Sequence, residues 1–435
     1  LDVSGKERES GTRYLGSALR DRTVVCNIND KANPENVIWL SSPHIETEQR
    51  AGLGRFRPAH MSMPNEQRMS GGLMIHVISG LHGGGAERLL TAIALGSLAA
   101  AQKIIVVSLL PGGEFRPCLE AAGIAVCDLG MRRRVPSLAG LLRFVALLRA
   151  HQPTVVQGWM YHGNLVACIG LMLSGRWSRT FLYWGLYCTA MTSGERHWRL
   201  RLVLWLSARL SGLTAGIFYN AVSARDYHRS IGFHEPHSLI LCNAVDTSLF
   251  GIHPELRSQV RRELRIAEDA MVVVSAARVD AMKDWRTLMA AVRPLANLVT
   301  LAVGKGTESL PDQSGFIRLG WRCDLHRIFN AADIFVLASA FGEGRSLAMT
   351  EAMACGLPVV TTDVGDHALL SAGAGVAVPP RDPGALTAEI RRLAADPALR
   401  RRWGEAARAR VVEDHSLARS YESFRRGHAG AMANE

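Results

Sequence analysis

Short apolar runs alternate with longer amphipathic stretches from residue 74 onward. Met74-Ile75-His76-Val77-Ile78, Lys103 to Leu109, Ile124 to Asp128 and Thr154 to Gln157 read as buried strands. Phe218 to Ser223 and Ser238 to Asp246 complete a first series. A second contains Met271 to Ser275, Leu298 to Val303, Phe316 to Leu319, Asp333 to Ser339 and the run after Leu357. Helical segments are predicted between them at Ala86 to Ala101, Leu138 to Ala150 and Glu195 to Arg209, from the turn after Ser223 to Ile231, and at Leu347 to Cys355. Strand and helix alternating in this way predict an α/β chain with parallel sheets. Leu417, Tyr421 and Phe424, spaced i, i+4, i+7, mark a terminal helix. Residues 1–73 show little periodicity beyond Val24-Val25-Cys26 and Val37-Ile38-Trp39-Leu40. They are expected to form a poorly ordered extension from a start site placed too far upstream.

The 435 residues exceed what one hydrophobic core usually serves, so two domains are expected. Their boundary is placed near Ser238 to Asp246, giving domains at 74–245 and 246–415 and a terminal helix at 416–435. Charge divides the chain further. Residues 74–245 carry 16 Lys and Arg against 7 Asp and Glu, whereas residues 246–435 carry 24 against 23. The first domain is therefore expected to meet an acidic partner, an anionic membrane surface or a phosphorylated acceptor, unless the arginines merely reflect a GC-rich genome. No nucleic-acid module is recognisable, and no nucleic-acid partner is expected. Glu195 to Arg209 sets Arg196, Arg199 and Arg201 beside Trp198 and Trp205, which suits a membrane headgroup boundary or a domain helix with snorkelling arginines. No apolar run is long enough to span a membrane, and Lys6-Glu7-Arg8-Glu9 replaces a signal peptide's apolar core. Eight cysteines without a C-x-x-C pair argue against a disulfide framework and fit a reducing cytosol.

Candidate chemistry gathers where strands give way to glycine loops. Phe341-Gly342-Glu343-Gly344-Arg345-Ser346-Leu347 follows a buried strand and opens a helix, with Ser346 at the N-cap, Glu351 one turn in and Gly356 and Pro358 ending it. A helix N-terminus offers free amides and partial positive charge to a phosphate, and nearby carboxylates accept hydrogen bonds from sugar hydroxyls. Arg278 and Lys283, five positions apart after a strand, suit a diphosphate clamp. Gly83-Gly84-Gly85 resembles a dinucleotide turn without the full G-x-G-x-x-G, and Ser108-Leu109-Leu110 stands where an acidic ribose ligand is needed, so a dehydrogenase is disfavoured. The same glycines also read as a tight turn that merely packs.

The acidic pair Glu343 and Glu351, with Gly344 between and Ala-Met-Ala-Cys-Gly-Leu-Pro-Val-Val after, resembles the signature of the retaining glycosyltransferases of family 4. The succession of motifs over residues 74–435 is similar to theirs, including Ala86-Glu87-Arg88 and Asn243-Ala244-Val245-Asp246, with Ala244 where glycine is usual. The resemblance implies a GT-B fold, two Rossmann-like domains facing a cleft, with the terminal helix returning to the first. It implies a nucleotide-diphosphate sugar as donor and a glycan or lipid-linked acceptor, in surface polysaccharide or lipopolysaccharide assembly. His162 is then the expected sugar contact, Gly83 to Gly85 and Gly304 line the donor, Arg322 sits by the nucleobase, and Glu351 holds the ribose. Arg278, Lys283 and the amides at Ser346 and Leu347 stabilise the leaving diphosphate, and Glu343 holds sugar hydroxyls. Where that family commonly reads Glu-Gly-Phe-Pro, this chain has Glu343-Gly344-Arg345-Ser346. Arg345 is expected either beside the diphosphate or in solvent. No Asp-x-Asp motif appears, so no metal and no cofactor are expected. The implied location is cytoplasmic, on the inner face of a membrane. A sugar-nucleotide epimerase and a catalytically degenerate nucleotide-sugar binder are the alternatives.

Overall fold

Val-, Ile- and Leu-rich runs with little alternation build strands that are covered on both faces, which is the setting of a parallel sheet. The computed structural model describes residues 22–26, 37–41, 72–132, 137–189, 198–235 and 237–433. β1 (Arg22–Cys26) and β2 (Val37–Ser41) pair antiparallel. The rest of the expected N-terminal extension up to residue 71 lies outside the described residues, as do Arg133 and Arg134 of the basic run and Arg196.

The first large sheet is assembled from β3 (Leu73–Ile78), β4 (Lys103–Ser108), β5 (Ala125–Asp128), β6 (Val155–Trp159), β7 (Phe181–Leu186), β8 (Gly216–Tyr219) and β9 (Ser238–Ile240). All its pairings are parallel, in the order β5-β4-β3-β6-β7-β8-β9. The second contains β10 (Met271–Ala276), β11 (Leu298–Val303), β12 (Phe316–Gly320), β13 (Ile334–Leu337), β14 (Val359–Thr362) and β15 (Gly375–Val378), parallel in the order β12-β11-β10-β13-β14-β15. Each order reverses once, between β3 and β6 and between β10 and β13. Open α/β sheets bind ligands at the carboxyl ends of strands beside such a reversal.

Helices cover both faces of each sheet, burying separate apolar clusters on the two sides. Those that matter for the site are α1 (Gly85–Ala99), α2 (Met160–Ser174), α3 (Trp198–Leu210), α4 (Val222–Ser230), α5 (Leu347–Ala354), α6 (His367–Ser371), α7 (Pro397–Asp414) and α8 (Leu417–Ala433). α8 returns to the first sheet. Phe424 is buried in a cluster with Met74 and Trp159, and the His428 ring pairs with Gln157 Oε1 of β6 at 3.1 Å. The chain crosses between the two halves at Cys242 to Val245 and again at His415 to Leu417. These crossings are bonded to each other, Val245 N to the His415 carbonyl at 2.8 Å and Leu417 N to the Val245 carbonyl at 3.0 Å. No helix among the described residues is long and apolar enough to cross a membrane.

Candidate active site

The loops after β10 and β13 flank the reversal of the second sheet, and hydrogen bonds lace them together. Ala340 N donates to the Met282 carbonyl at 2.8 Å, and Val279 N to the Lys305 carbonyl after β11 at 2.9 Å. Gly304, at φ 136°, turns so close to the β10 loop that any Cβ would overlap the Ala277 carbonyl oxygen. This glycine thereby brings the two loops into contact. Arg278 is held from behind, its carbonyl accepting from Trp285 Nε1 at 3.1 Å, while its mostly exposed guanidinium pairs with Asp280.

Lys283 and Glu343, sixty positions apart, form an ion pair at the bottom of this joint. The Glu343 Oε1 also accepts from Ser339 Oγ at 2.6 Å. Burial opposes ionisation of Glu343, but Lys283, His367 and the two hydrogen bonds outweigh it and hold the carboxyl below its usual pKa. A charged carboxylate thus stands ready at 6 % exposure. Ser346 occupies the N-cap of α5 with extended backbone, as the sequence indicates, yet its hydroxyl makes no capping bond. The first-turn amides starting at Leu347 therefore lack a side-chain acceptor, which is the condition for an anion to take that place.

The first domain closes over this edge. Glu351 of α5 pairs with Arg88 of α1, and burial pushes its carboxyl up against the opposing pull of Arg88. Thr189 Oγ1 donates to the Glu343 carbonyl at 2.6 Å. Asn220 presses on Gly344, where a Cβ would lie 2.5 Å from Asn220 Oδ1, so the domain contact itself requires glycine there. Gly83, Gly84 and Gly85 follow β3 at the other sheet's reversal, and Gly83 N donates to Glu114 Oε2 at 2.9 Å. A Cβ on Gly83 or Gly85 would meet nothing within 4 Å. Packing does not demand glycine at those two positions, and open space lies beside the backbone. Burial raises the pKa of Glu87 in the first turn of α1, Glu114 adds to the rise, and a backbone hydrogen bond and Arg278 of the facing domain oppose it. The glycine loop and Arg278 accordingly face each other across the cleft.

Three of the expected site residues have the following surroundings. His162 lies just past the end of β6, in the first turn of α2, exposed, two residues after Met160, whose φ of 60° is a left-handed turn at a non-glycine residue. Arg322 is engaged by Asp324 through two bonds of 2.8 and 2.7 Å, in keeping with their proximity in sequence. Arg345 does not turn to solvent. Its guanidinium reaches Cys242 Sγ at 2.8 Å and Asp366 Oδ2 at 3.3 Å, and the same Asp366 accepts from the α4 amides of Val222 and Ser223, each at 2.9 Å. The reason is electrostatic: a carboxylate that caps a helix of one domain attracts the nearest cation of the other. Arg88, Thr189, Asn220, Ser339 and Asp366 are site neighbours that sequence reasoning did not assign. Arg88 stands in the Ala86-Glu87-Arg88 motif and Asp366 closes the polar run after β14, whereas the other three carry no local signal.

Residues 270–396 match the family model described as Glycosyl transferases group 1. The D-inositol 3-phosphate glycosyltransferase of Streptomyces bingchenggensis is 29% identical over 177 residues, covering 35% of this chain and 39% of that relative. A glycogen synthase of Mycobacterium tuberculosis is 37% identical over 93 residues, 21% of this chain and 22% of its own. The aligned part thus spans well under half the length of the curated relatives. Among solved structures, the Anabaena Alr3699/HepE protein in complex with UDP-glucose superposes with a TM-score of 0.70 at 19% identity, covering 82% of this chain and 99% of that one. Two parallel-sheet Rossmann-like domains with these neighbours give the chain the GT-B glycosyltransferase fold.

Proposed function

We propose that the protein is a retaining glycosyltransferase, moving a sugar from a nucleotide-diphosphate donor to a glycan or lipid-linked acceptor. The observation that carries this reading is the buried Lys283–Glu343 pair beside the uncapped N-terminus of α5, at the reversal of the second sheet. Support comes from the glycosyltransferase family match over residues 270–396 and from neighbours solved with UDP and UDP-glucose.

Arg278, Lys283 and the amides at Ser346 and Leu347 hold the diphosphate, and Glu343 accepts hydrogen bonds from the sugar. As the bond from the anomeric carbon to the β-phosphate oxygen breaks, charge grows on that oxygen, where these cations and dipoles act most strongly. The acceptor hydroxyl attacks from the same face and gives its proton to the departing phosphate, which retains the configuration. His162 contacts the sugar from the first domain, Glu351 the ribose and Arg322 the base region, each after exchanging its present partner or solvent for the ligand. No metal takes part in this scheme.

Peripheral attachment to the inner face of a membrane belongs to the same proposal. On α3, Trp198, Leu202 and Trp205 fall on one side at helical spacing and are all more than half exposed, and Arg199 and Arg209 lie 5.4 and 5.5 Å from the two tryptophan rings. Such a face, on the basic domain, suits the headgroup boundary and an acceptor carried on lipid.

A panel of nucleotide sugars, followed by proton NMR of the product's anomeric centre, tests the reading. Transfer with retained configuration, unaffected by EDTA, is the expected result. Inverted product would overturn retention, conversion of the donor without acceptor would indicate an epimerase, and binding without turnover a degenerate protein. Activity lost to EDTA and restored by manganese would contradict the metal-free scheme.

A further inference from the structure

A second basic cavity, of about 510 Å³, opens where the two domains join, and none of Arg278, Lys283, Glu343 or Glu351 lines it. Its walls come from both halves of the molecule. Arg345 and Arg410 contribute from the second domain, and Arg419 and Arg426 from α8, which packs on the first. Against these four guanidinium groups stand two acids, Asp414 and Glu422. Glu422 is already neutralised by Arg425 and Arg426.

Two of the four, Arg410 and Arg419, are held in place by backbone carbonyls and not by carboxylates. Arg410 donates through Nη1 to the Leu370 carbonyl at 2.7 Å, and Arg419 through Nε to the Glu413 carbonyl at 3.0 Å. A guanidinium has five N–H donors, so most of each fork remains for a ligand. An independent observation points the same way. His415 also lines the cavity, is only 2 % exposed, and its Nδ1 is buried with no hydrogen-bond partner among the described residues. Burial keeps the ring neutral and its other nitrogen bonds the Asn243 backbone, so Nδ1 is a free acceptor, and a hydroxyl on the body that carries an anionic group completes it.

From these features we infer that the cavity binds a phosphomonoester at the joint between the domains, separately from the donor cleft. Two arginines without carboxylate partners, Arg410 and Arg419, with Arg345 and Arg426 able to exchange theirs, suit a tetrahedral dianion with three free oxygens better than a flat carboxylate. The volume falls within the range of small-molecule sites, about 300–1,000 Å³, which leaves room for a body of sugar size beyond the phosphate. The group can arrive on a soluble sugar phosphate or on a lipid headgroup.

Binding there reaches the cleft through two routes. Arg345 follows Gly344 directly, and a phosphate competes with Asp366 for its guanidinium. The cavity also lies on the paired crossings, being lined by Cys242 of one and His415 of the other. A ligand gripped by arginines of both domains favours whichever domain angle brings them together, so it changes affinity for any ligand of the cleft, and reciprocally.

The test is titration of the full chain with inorganic phosphate and with a hexose 6-phosphate at constant ionic strength, by calorimetry and by Tm. It is repeated on Arg419→Ala/Arg426→Ala and in the presence of saturating UDP. Both arginines are exposed, and the variant's Tm without ligand checks that it folds. Saturable binding that survives UDP and weakens about tenfold or more in the double variant is expected. Vesicles of phosphatidylcholine with and without phosphatidate then separate the sources: hexose phosphate binding assigns a soluble ligand, and binding to phosphatidate vesicles alone a lipid one. The inference is overturned if chloride gives the same Tm shift, if UDP displaces the phosphate, or if the double variant binds as well as the parent. These readouts do not depend on sugar transfer, so failure of the transferase reading would leave the result interpretable.

Discussion

Glu343 is a carboxylate kept charged in a buried place, and that combination has consequences that can be measured. Its neighbours Lys283 and Ser339 come from two different strand ends, so the charge is fixed before any donor arrives. Glu343→Gln keeps the size and the hydrogen bond from Ser339 but removes the charge that orients sugar hydroxyls. Affinity for the nucleoside diphosphate alone is expected to stay within a few fold, while kcat for transfer falls by about 100-fold, near 3 kcal/mol of barrier. Steady-state kinetics beside a UDP titration separates the two, and an unchanged kcat would remove Glu343 from the site. At this scale the sequence was informative where residue type follows chemistry, as with Glu343, Lys283 and the N-cap position of Ser346. It did not pair Arg345 with Asp366, because that partner becomes a neighbour only after β14 has packed beside β13.

Among the elements, strands were the most legible, since buried parallel strands are continuous apolar runs whose ends are marked by glycine and polar residues. The start of α2 was less so. No helix is predicted after Gln157, but the left-handed turn at Met160 lets one begin as soon as β6 ends and carries His162 on its first turn. α3 presents the clearest functional question at this scale. Its exposed Trp198, Leu202 and Trp205 face bears aromatic and basic groups together, whereas an ordinary surface helix buries its large apolar side chains. Trp198→Ser/Trp205→Ser is expected to abolish flotation with vesicles containing anionic lipid and to leave Tm nearly unchanged, because neither indole is buried. Flotation that ignores both the substitution and the lipid charge would place α3 among ordinary domain helices.

Across the whole molecule, two domains share one joint, made of two crossings bonded together and of buried polar groups drawn from both. Burial holds the ring of His428 down to about 4, with that of His415 also at about 4, and holds His76 to about 3. The unfolded chain binds protons at these rings from about pH 6.5 downward, while the folded protein excludes them. Stability is therefore fully present above pH 6.5 and falls as the solution is acidified, until each folded pKa is passed. Each ring contributes on the order of 1.4 kcal/mol per pH unit within that window. Thermal melts between pH 7.5 and 4.5 should show a steep fall in Tm beginning near pH 6.5, well above the range in which carboxylates titrate. A Tm constant down to pH 5 would mean that these rings are protonated in the folded state.

The sequence alone determined the alternation of strand and helix, the glycine loops at strand ends and the residue types that suit a diphosphate, because each depends on neighbours within a few positions. The resemblance of its motifs supplied the GT-B expectation that the two parallel sheets bear out. Only the tertiary structure decided what lies across the cleft. Arg88 meets Glu351 over 263 positions, Thr189 meets Glu343 over 154, and Asp366 caps a helix 144 positions earlier. Such contacts arise from how two separately packed sheets are set against each other, and no local pattern encodes that. The arginines of the joint show it most plainly: Arg345 belongs to the glycine loop while Arg410, Arg419 and Arg426 lie some 65 to 81 positions later, and the paired crossings bring all four around one cavity.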